Sequence, residues 1–355
     1  MDERIFIIDA EQIIDGVSVD QGVSECLVEI KQKHLRQETL TIDPLRAGWD
    51  TPIENNHFRS GNAPLLAIER ACKILREDLA DVVIIQGEDY LRSAYSAQER
   101  HELMDIYAGI SVPKAYTKLA EYWCLLHGVD KKTFLKLADE LFQNYYRTYK
   151  KTDSRKLPNE KWFEFITPWF RGVDCANPVV DYAGKIVVAT KKAITALRVL
   201  KNVAISIKAI ATAETQAAGL EGLVEIANYQ HLKKILQQAN QQAQLDFFNL
   251  FKRHQAHLEV YTCFPVVPLA FLHESGLVNS AEEVTKLIQR YPLTITGGMN
   301  LAKAAWNMPA LHAIIEMYFK LQKKDALPIG AVHGNGGLGE KQGFLILRNG
   351  NEISL

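Results

Sequence analysis

The sequence has little of what marks nucleic-acid-binding, membrane or secreted proteins. It carries 41 basic and 42 acidic residues, a net charge of −1. No basic excess is present to hold a phosphate backbone, and there is no acidic tail. No apolar run reaches the roughly 20 residues that cross a bilayer. The start, Met1-Asp-Glu-Arg, lacks the charged-then-apolar pattern of a secretory leader. The five cysteines (Cys26, Cys72, Cys124, Cys175 and Cys263) lie far apart without CxxC spacing. That argues for reduced thiols in the cytoplasm and against a structural zinc. Neither a GxGxxG after a strand nor a GK[ST] loop is present, so a nucleotide-binding protein is the weakest class. No low-complexity stretch or long linker splits the chain. The expectation is a cytoplasmic protein with no nucleic-acid partner, no membrane span and no metal.

What is present fits a globular protein: 355 residues, 47% hydrophobic and 23% charged, enough for one large core or two fused ones. Strand patterns at residues 4–8, 40–42, 81–85, 179–188, 203–211, 257–264, 293–296 and 344–347 alternate with helical patterns, which makes the class α/β. Helices are expected at residues 19–35, 62–74, 191–200, 281–290 and 307–321, and over most of 220–251, where the glutamines of 237–244 imply a solvated face. Residues 93–168 differ in being richer in charge and aromatics, with helices at 116–126 and 131–149. They read as an insertion over the core, either covering a substrate pocket or forming a plain subdomain. The boundaries that follow are an N-terminal half over 1–92 completed by 169–211, the insertion over 93–168, and a C-terminal half over 212–355.

One pattern occurs twice. Ser60-Gly-Asn62-Ala-Pro64-Leu-Leu66 and Asn307-Met-Pro309-Ala-Leu311 each open a largely apolar helix with Asn-x-Pro-x-Leu. Asparagine is a good N-cap, and proline is tolerated in a first turn where its missing N–H costs nothing. Two copies suggest a duplicated unit with both helices side by side between sheets. Glycine-rich stretches flank the second copy: Gly297–Gly298 ends a β-branched run, and His333 to Gly339 holds four glycines in seven residues, a composition that lets backbone approach a ligand.

Several stretches together carry a family resemblance. Tyr261-Thr-Cys263-Phe-Pro, Pro292-Leu-Thr-Ile-Thr-Gly-Gly-Met, His312-Ala-Ile and Gly334-Asn-Gly-Gly resemble the C-terminal half of thiolases, of the branch near sterol carrier protein X. Ala108-Gly-Ile-Ser-Val-Pro-Lys-Ala-Tyr116, Pro168-Trp-Phe-Arg-Gly-Val-Asp-Cys175 and Asp181-Tyr-Ala-Gly-Lys-Ile-Val-Val resemble the same family upstream. The resemblance covers about residues 60–347. It implies a five-layer αβαβα fold from two similar halves with an inserted loop domain. The activity it implies is transfer of acyl groups on coenzyme A in lipid metabolism (an acetyl-CoA acetyltransferase), and a homodimer comes with it. A CoA thioester would be substrate or ligand, with no other cofactor.

The resemblance also shows what is missing. Gly61 stands where the family's nucleophilic cysteine belongs, and Cys72 is about three helical turns too far along to replace it. The Gly-His-Pro turn becomes Lys303-Ala304-Ala305, and the Asn-Glu-Ala-Phe run becomes Tyr261-Thr-Cys263-Phe. The first sixty residues are shorter than the family's usual opening. His333, where relatives have Cys or His, is a candidate general base or oxyanion donor, or else a histidine held in a tight turn. Cys263 is a candidate relocated nucleophile or a small buried hydrophobe. His312 reads as a core histidine. Gly61, Asn62, Gly297, Gly298, Asn307, Asn335, Gly336 and Gly337 are the candidate substrate-binding positions, with Asn307 also a cap and the glycines also turn formers. Two readings follow. The first is a protein that binds acyl-CoA or acyl-carrier thioesters, an acyltransferase by resemblance but without the usual thiol. The second is a non-catalytic binding or scaffold subunit.

Overall fold

The computed structural model describes residues 4–20, 23–107, 109–152, 158–200, 203–301 and 305–349. Lys303 and Ala304 of the altered Gly-His-Pro turn, Ala108 and most of the lysine-rich stretch after residue 150 lie outside the described residues. The strands are β1 (Ile5–Ile14), β2 (Val17–Asp20), β3 (Gln37–Ile42), β4 (His57–Phe58), β5 (Val82–Tyr90), β6 (Asp181–Thr190), β7 (Ile205–Glu214), β8 (Ala256–Glu259), β9 (Ile329–Gly336) and β10 (Lys341–Asn349). They run in the order β4-β3-β5-β6-β1-β7-β10-β9-β8, with β2 hairpinned onto β1.

The duplication is written in this order. In the first half β3 is parallel to β5, and β5, β6 and β1 are antiparallel in turn. In the second half β8 is parallel to β9, and β9, β10 and β7 repeat the antiparallel series. The halves meet where β1 pairs β7 through Phe6↔Ser206 and Ile7↔Ile205. Despite its short opening, the first half has a counterpart for every strand of the second.

The helices Ala63–Arg76 and Pro309–Gln322 pack against each other in the middle. The first touches β3 and β5 of its own half and β7 and β10 of the other; the second touches β9 as well as β1 and β6. Both therefore bury most of their length, the first exposing only the charged residues Arg70, Lys73 and Arg76 of its later turns. Outside lie Val23–Gln32 and Lys191–Ala196 against β1 and β6, and Gln230–Ala243 against β7 and β10. That last helix buries Leu232, Ile235, Leu236 and Ala239 at helical spacing and turns its glutamines outward. The result is α/β in five layers, αβαβα.

The glycines of β9 and β10 make the central packing possible. Gly334 and Gly343 are paired across the two strands, and a Cβ on either would overlap Asn62 and Leu65 of the first central helix. The missing side chains let that helix lie directly on the opposite half's sheet.

Three sequence expectations are corrected. Residues 293–296 form no strand. The N–H of Leu293 is taken by the Asn144 side chain, and those of Ile295 and Thr296 by the Glu259 carboxylate, so side chains stand where a strand partner would. The C-terminal strand of residues 257–264 ends early, at Glu259. His333 lies inside β9 opposite Phe344, not in a loop; the turn begins only at Gly337.

The segment between β5 and β6 holds the helices Ala97–Leu103, Val112–His127 and Lys131–Thr152. The second packs on Leu223–Ala227 and Val266–Glu274, the third on Ala281–Arg290, so the insertion leans on the C-terminal half. Asn144 fixes this contact, its Nδ2 donating to the carbonyls of Ile288 at 2.6 Å and Tyr291 at 2.7 Å.

Candidate functional site

A cleft of about 710 Å³ opens between the insertion and the ends of the central helices. Its floor includes Gly61, Tyr261, Cys263, Asn307, Asn335 and Gly337, and the insertion contributes Tyr107, Tyr116 and Trp162 among others. Of the candidate positions, the structure therefore brings Gly61, Cys263, Asn307, Asn335 and Gly337 to one surface. The remaining ones lie elsewhere. Gly297 and Gly298, at φ 98° and 82°, face Tyr149 and Tyr145 of the inserted helix Lys131–Thr152; a Cβ on Gly297 would collide with Tyr149, and one on Gly298 would crowd Thr262 and the Tyr145 ring. Gly336 faces Ser60. The Asn62 amide is buried against Gly334 and Gly343 and makes no hydrogen bond to a described residue.

The helix starts differ from their sequence reading. Asn62 is an N-cap by position, but its side chain caps nothing. Its own N–H is taken by Ser60 Oγ at 3.2 Å, and that of Ala63 by the Ser60 carbonyl. Ser60 sits at φ 141°, a conformation that favours glycine and stores strain. The N-cap position of the second helix falls on Met308, not Asn307, and no side chain caps it. Asn307 instead donates Nδ2 to the carbonyl of Asp43 at 2.8 Å, tying a loop of the first half to the cleft.

The most informative position is Gly61. A Cβ built there would overlap the Tyr261 hydroxyl and the Asn335 carbonyl. Tyr261 stands where the resembling family has the first residue of its Asn-Glu-Ala-Phe run.

Behind the floor runs a hydrogen-bonded chain. Tyr116 donates to the Gly337 carbonyl at 2.6 Å and accepts from Asn335 Nδ2 at 3.1 Å; the Cys263 thiol lies 3.5 Å from the same hydroxyl. Gln342 donates to Asn335 Oδ1 at 2.6 Å and to the Gly339 carbonyl at 2.8 Å. Its Oε1 is thereby left to accept from His333 Nε2, 2.8 Å away. This partner set fixes the tautomer of His333 with the proton on Nε2. His333 reaches the cleft only through Gln342 and Asn335; its ring packs on Phe271 with centroids 4.7 Å apart.

Burial governs the titration of these groups. It pushes the Cys263 thiol up to about 12, with the Tyr116 contact opposing more weakly, so the nucleophilic thiolate is not formed near neutrality. Burial raises Tyr116 and Tyr261 well above the ordinary phenol range, each helped by Cys263. It lowers His333 to about 4, against the Gln342 hydrogen bond. His333 is therefore neutral when folded and takes a proton near 6.5 when unfolded. A lowered histidine contributes stability that is present above 6.5 and lost as pH falls from there toward 4. The expected consequence is that His333→Gln flattens the acid side of the stability profile by up to about 1.4 kcal/mol per pH unit near pH 5. Urea unfolding at a series of pH values measures it, and parallel profiles for the two proteins would contradict the assignment.

Sequence reasoning gave Tyr116, Tyr261 and Gln342 no role. Two of the three were within reach: Tyr116 ends one resembling motif, and Tyr261 begins the altered run.

No protein-family model matches the chain, and no curated protein matches it. Solved structures do. A monomeric SCP2-thiolase-like protein type 1 from Mycobacterium smegmatis superposes with a TM-score of 0.70 at 16% identity, over 97% of this chain and 77% of that one. The chain has the thiolase fold. The Acat5 thiolase of Ascaris suum, solved in complex with coenzyme A, gives 0.64 at 15% identity over 98% of this chain and 100% of that one. An Ltp2–ChsH2(DUF35) aldolase gives 0.67 at 16% over 99% of both chains. In this thiolase fold the cleft sits at the N-terminal ends of the central helices, where the two halves and the insertion meet. No helix among the described residues is long and apolar enough to cross a membrane.

Proposed function

We propose that the cleft binds an acyl thioester, on coenzyme A or an acyl carrier, and that no acyl-enzyme forms at residue 61. The Tyr261 hydroxyl in the space of a residue-61 side chain carries this reading. A thiolase-type transfer needs a soft nucleophile at the thioester carbon. Gly61 offers none, Cys263 is held as a thiol, and Ser60 Oγ is engaged with the Asn62 N–H without a base beside it. What the cleft does offer is apolar walls with a few amide and phenol groups, the composition of a binding site. The coenzyme A complex of the similar Acat5 structure supports a CoA thioester as the ligand class. Among the described residues that line the cleft, Lys161 is the fixed cation.

This reading places the protein as a non-catalytic thiolase-fold binder. The similar Ltp2–ChsH2(DUF35) complex supports the related reading that such a chain works as a subunit beside a partner protein. Calorimetry with CoA and acetyl-CoA, followed by intact-mass spectrometry, tests the proposal. Saturable binding with unchanged protein mass is expected, together with no acetoacetyl-CoA thiolysis. A stable acetyl adduct at residues 60–62 would refute the non-covalent reading. No binding of either compound would remove the thioester from it.

A further inference from the structure

One cluster of donor groups lies outside the cleft and serves nothing described so far. The inserted helix Val112–His127 ends against the end of the helix Val266–Glu274. There His127, His273 and Glu274 each bring one donor atom within 4.8 Å of the other two. The two imidazole rings meet edge to face with centroids 4.2 Å apart, and His273 Nδ1 is 3.0 Å from Glu274 Oε1.

Four observations make this a place for a cation. The Glu274 side chain is only 5% exposed, and His273 is its only ion-pair partner among the described residues; a buried carboxylate so poorly matched gains from a positive charge. The His127 imidazole makes no hydrogen bond to a described residue, only ring contacts with Trp123 and His273. Both helices present their C-terminal, carbonyl ends to the cluster, and those ends attract cations. A void of about 70 Å³ adjoins the two histidines, room for an ion and a water.

We propose that His127, His273 and Glu274 bind a first-row divalent cation, best matched by Zn²⁺, which clips the insertion to the C-terminal half. Two imidazoles and a carboxylate with water in the fourth place are a known zinc ligand set. Donors about 2.0–2.2 Å from a tetrahedral ion stand about 3.3–3.6 Å apart, so binding draws the three side chains inward by rotation about their own bonds. The sequence could not show this site, since its ligands are imidazoles and a carboxylate some 146 residues apart (127 to 273), not spaced thiolates. Because Tyr116 lies on the same inserted helix as His127, the ion also fixes one wall of the cleft.

The test uses untagged full-length protein, stripped with EDTA and titrated with ZnCl₂ by calorimetry and by thermal unfolding. The expected result is one Zn²⁺ per chain and a rise in Tm that EDTA reverses. Glu274→Gln and His127→Gln should keep the wild-type Tm in EDTA, bind Zn²⁺ at least about tenfold more weakly and lose the rise. Should either variant fail to fold, the visible spectrum of the wild-type Co²⁺ form reads the site directly, with intense tetrahedral bands expected. Wild-type protein without stoichiometric Zn²⁺, a Co²⁺ form without those bands, or folded variants that bind as tightly as wild type would overturn the proposal.

Discussion

Gly61→Cys is expected to destabilise the protein by about 3 kcal/mol, the upper end of the usual overpacking range, and to leave acetoacetyl-CoA thiolysis at background. The substitution puts back the residue that the resembling family uses, yet the new Cβ meets the Tyr261 hydroxyl and the Asn335 carbonyl. The phenol ring can shift a little. The carbonyl cannot, because Asn335 is in β9 and paired with Gln342 of β10. Gly61 does not require a left-handed backbone, so the demand is for space alone. Combining Gly61→Cys with Tyr261→Phe should recover part of the lost stability, since only the hydroxyl part of the overlap is relieved. Urea midpoints for the two variants against wild type measure this. A Gly61→Cys protein with wild-type stability, or one that cleaves acetoacetyl-CoA, would show that the space is open after all.

Arg59→Met should cost about 3–5 kcal/mol, the range for breaking a buried ion pair from one side. Arg59 and Asp43 are 8% and 4% exposed. Arg59 donates Nη2 and Nε to Asp43 Oδ2 at 2.8 and 3.1 Å, and Nη1 to the Thr51 carbonyl and hydroxyl at 3.0 and 2.8 Å. Methionine fills the stem's volume but leaves a buried carboxylate with only His57, 2.7 Å from Oδ1, and strands the loop carbonyls. The loss should extend to ligand binding, because the Asp43 carbonyl is the acceptor that holds Asn307 at the cleft. Asp43→Asn in the Arg59→Met background should restore stability relative to Arg59→Met alone, since the uncompensated charge is gone. Additive losses in the double variant would mean that the two groups do not act as a pair.

The α/β alternation, the repeated Asn-x-Pro-x-Leu helices and the glutamine-faced helix were legible because each is a local pattern with a period. The two central helices were the easiest to find, being largely apolar. Failures of the reading came where a distant side chain replaced a local rule. Residues 293–296 have the composition of a strand, but Glu259 and Asn144 satisfy their N–H groups. Asn307 has the composition of a cap, but the Asp43 carbonyl, 264 residues away, claims its amide.

The sequence by itself determined the class, the duplication and the absence of a side chain at residue 61, because these depend on residue identity and short-range order. Only the tertiary structure decided which candidates share a surface. Gly61, Cys263, Asn307, Asn335 and Gly337 come together, while Gly297 and Gly298 are covered by the inserted helix. It also set His333 behind Gln342, two residues along β9 from Asn335 at the cleft. It put the Tyr261 hydroxyl in the space that a side chain on residue 61 would take. The physical reason is the same in each instance: close packing between the two halves assigns a given volume to one side chain only, and which residue fills it depends on segments far apart in the chain.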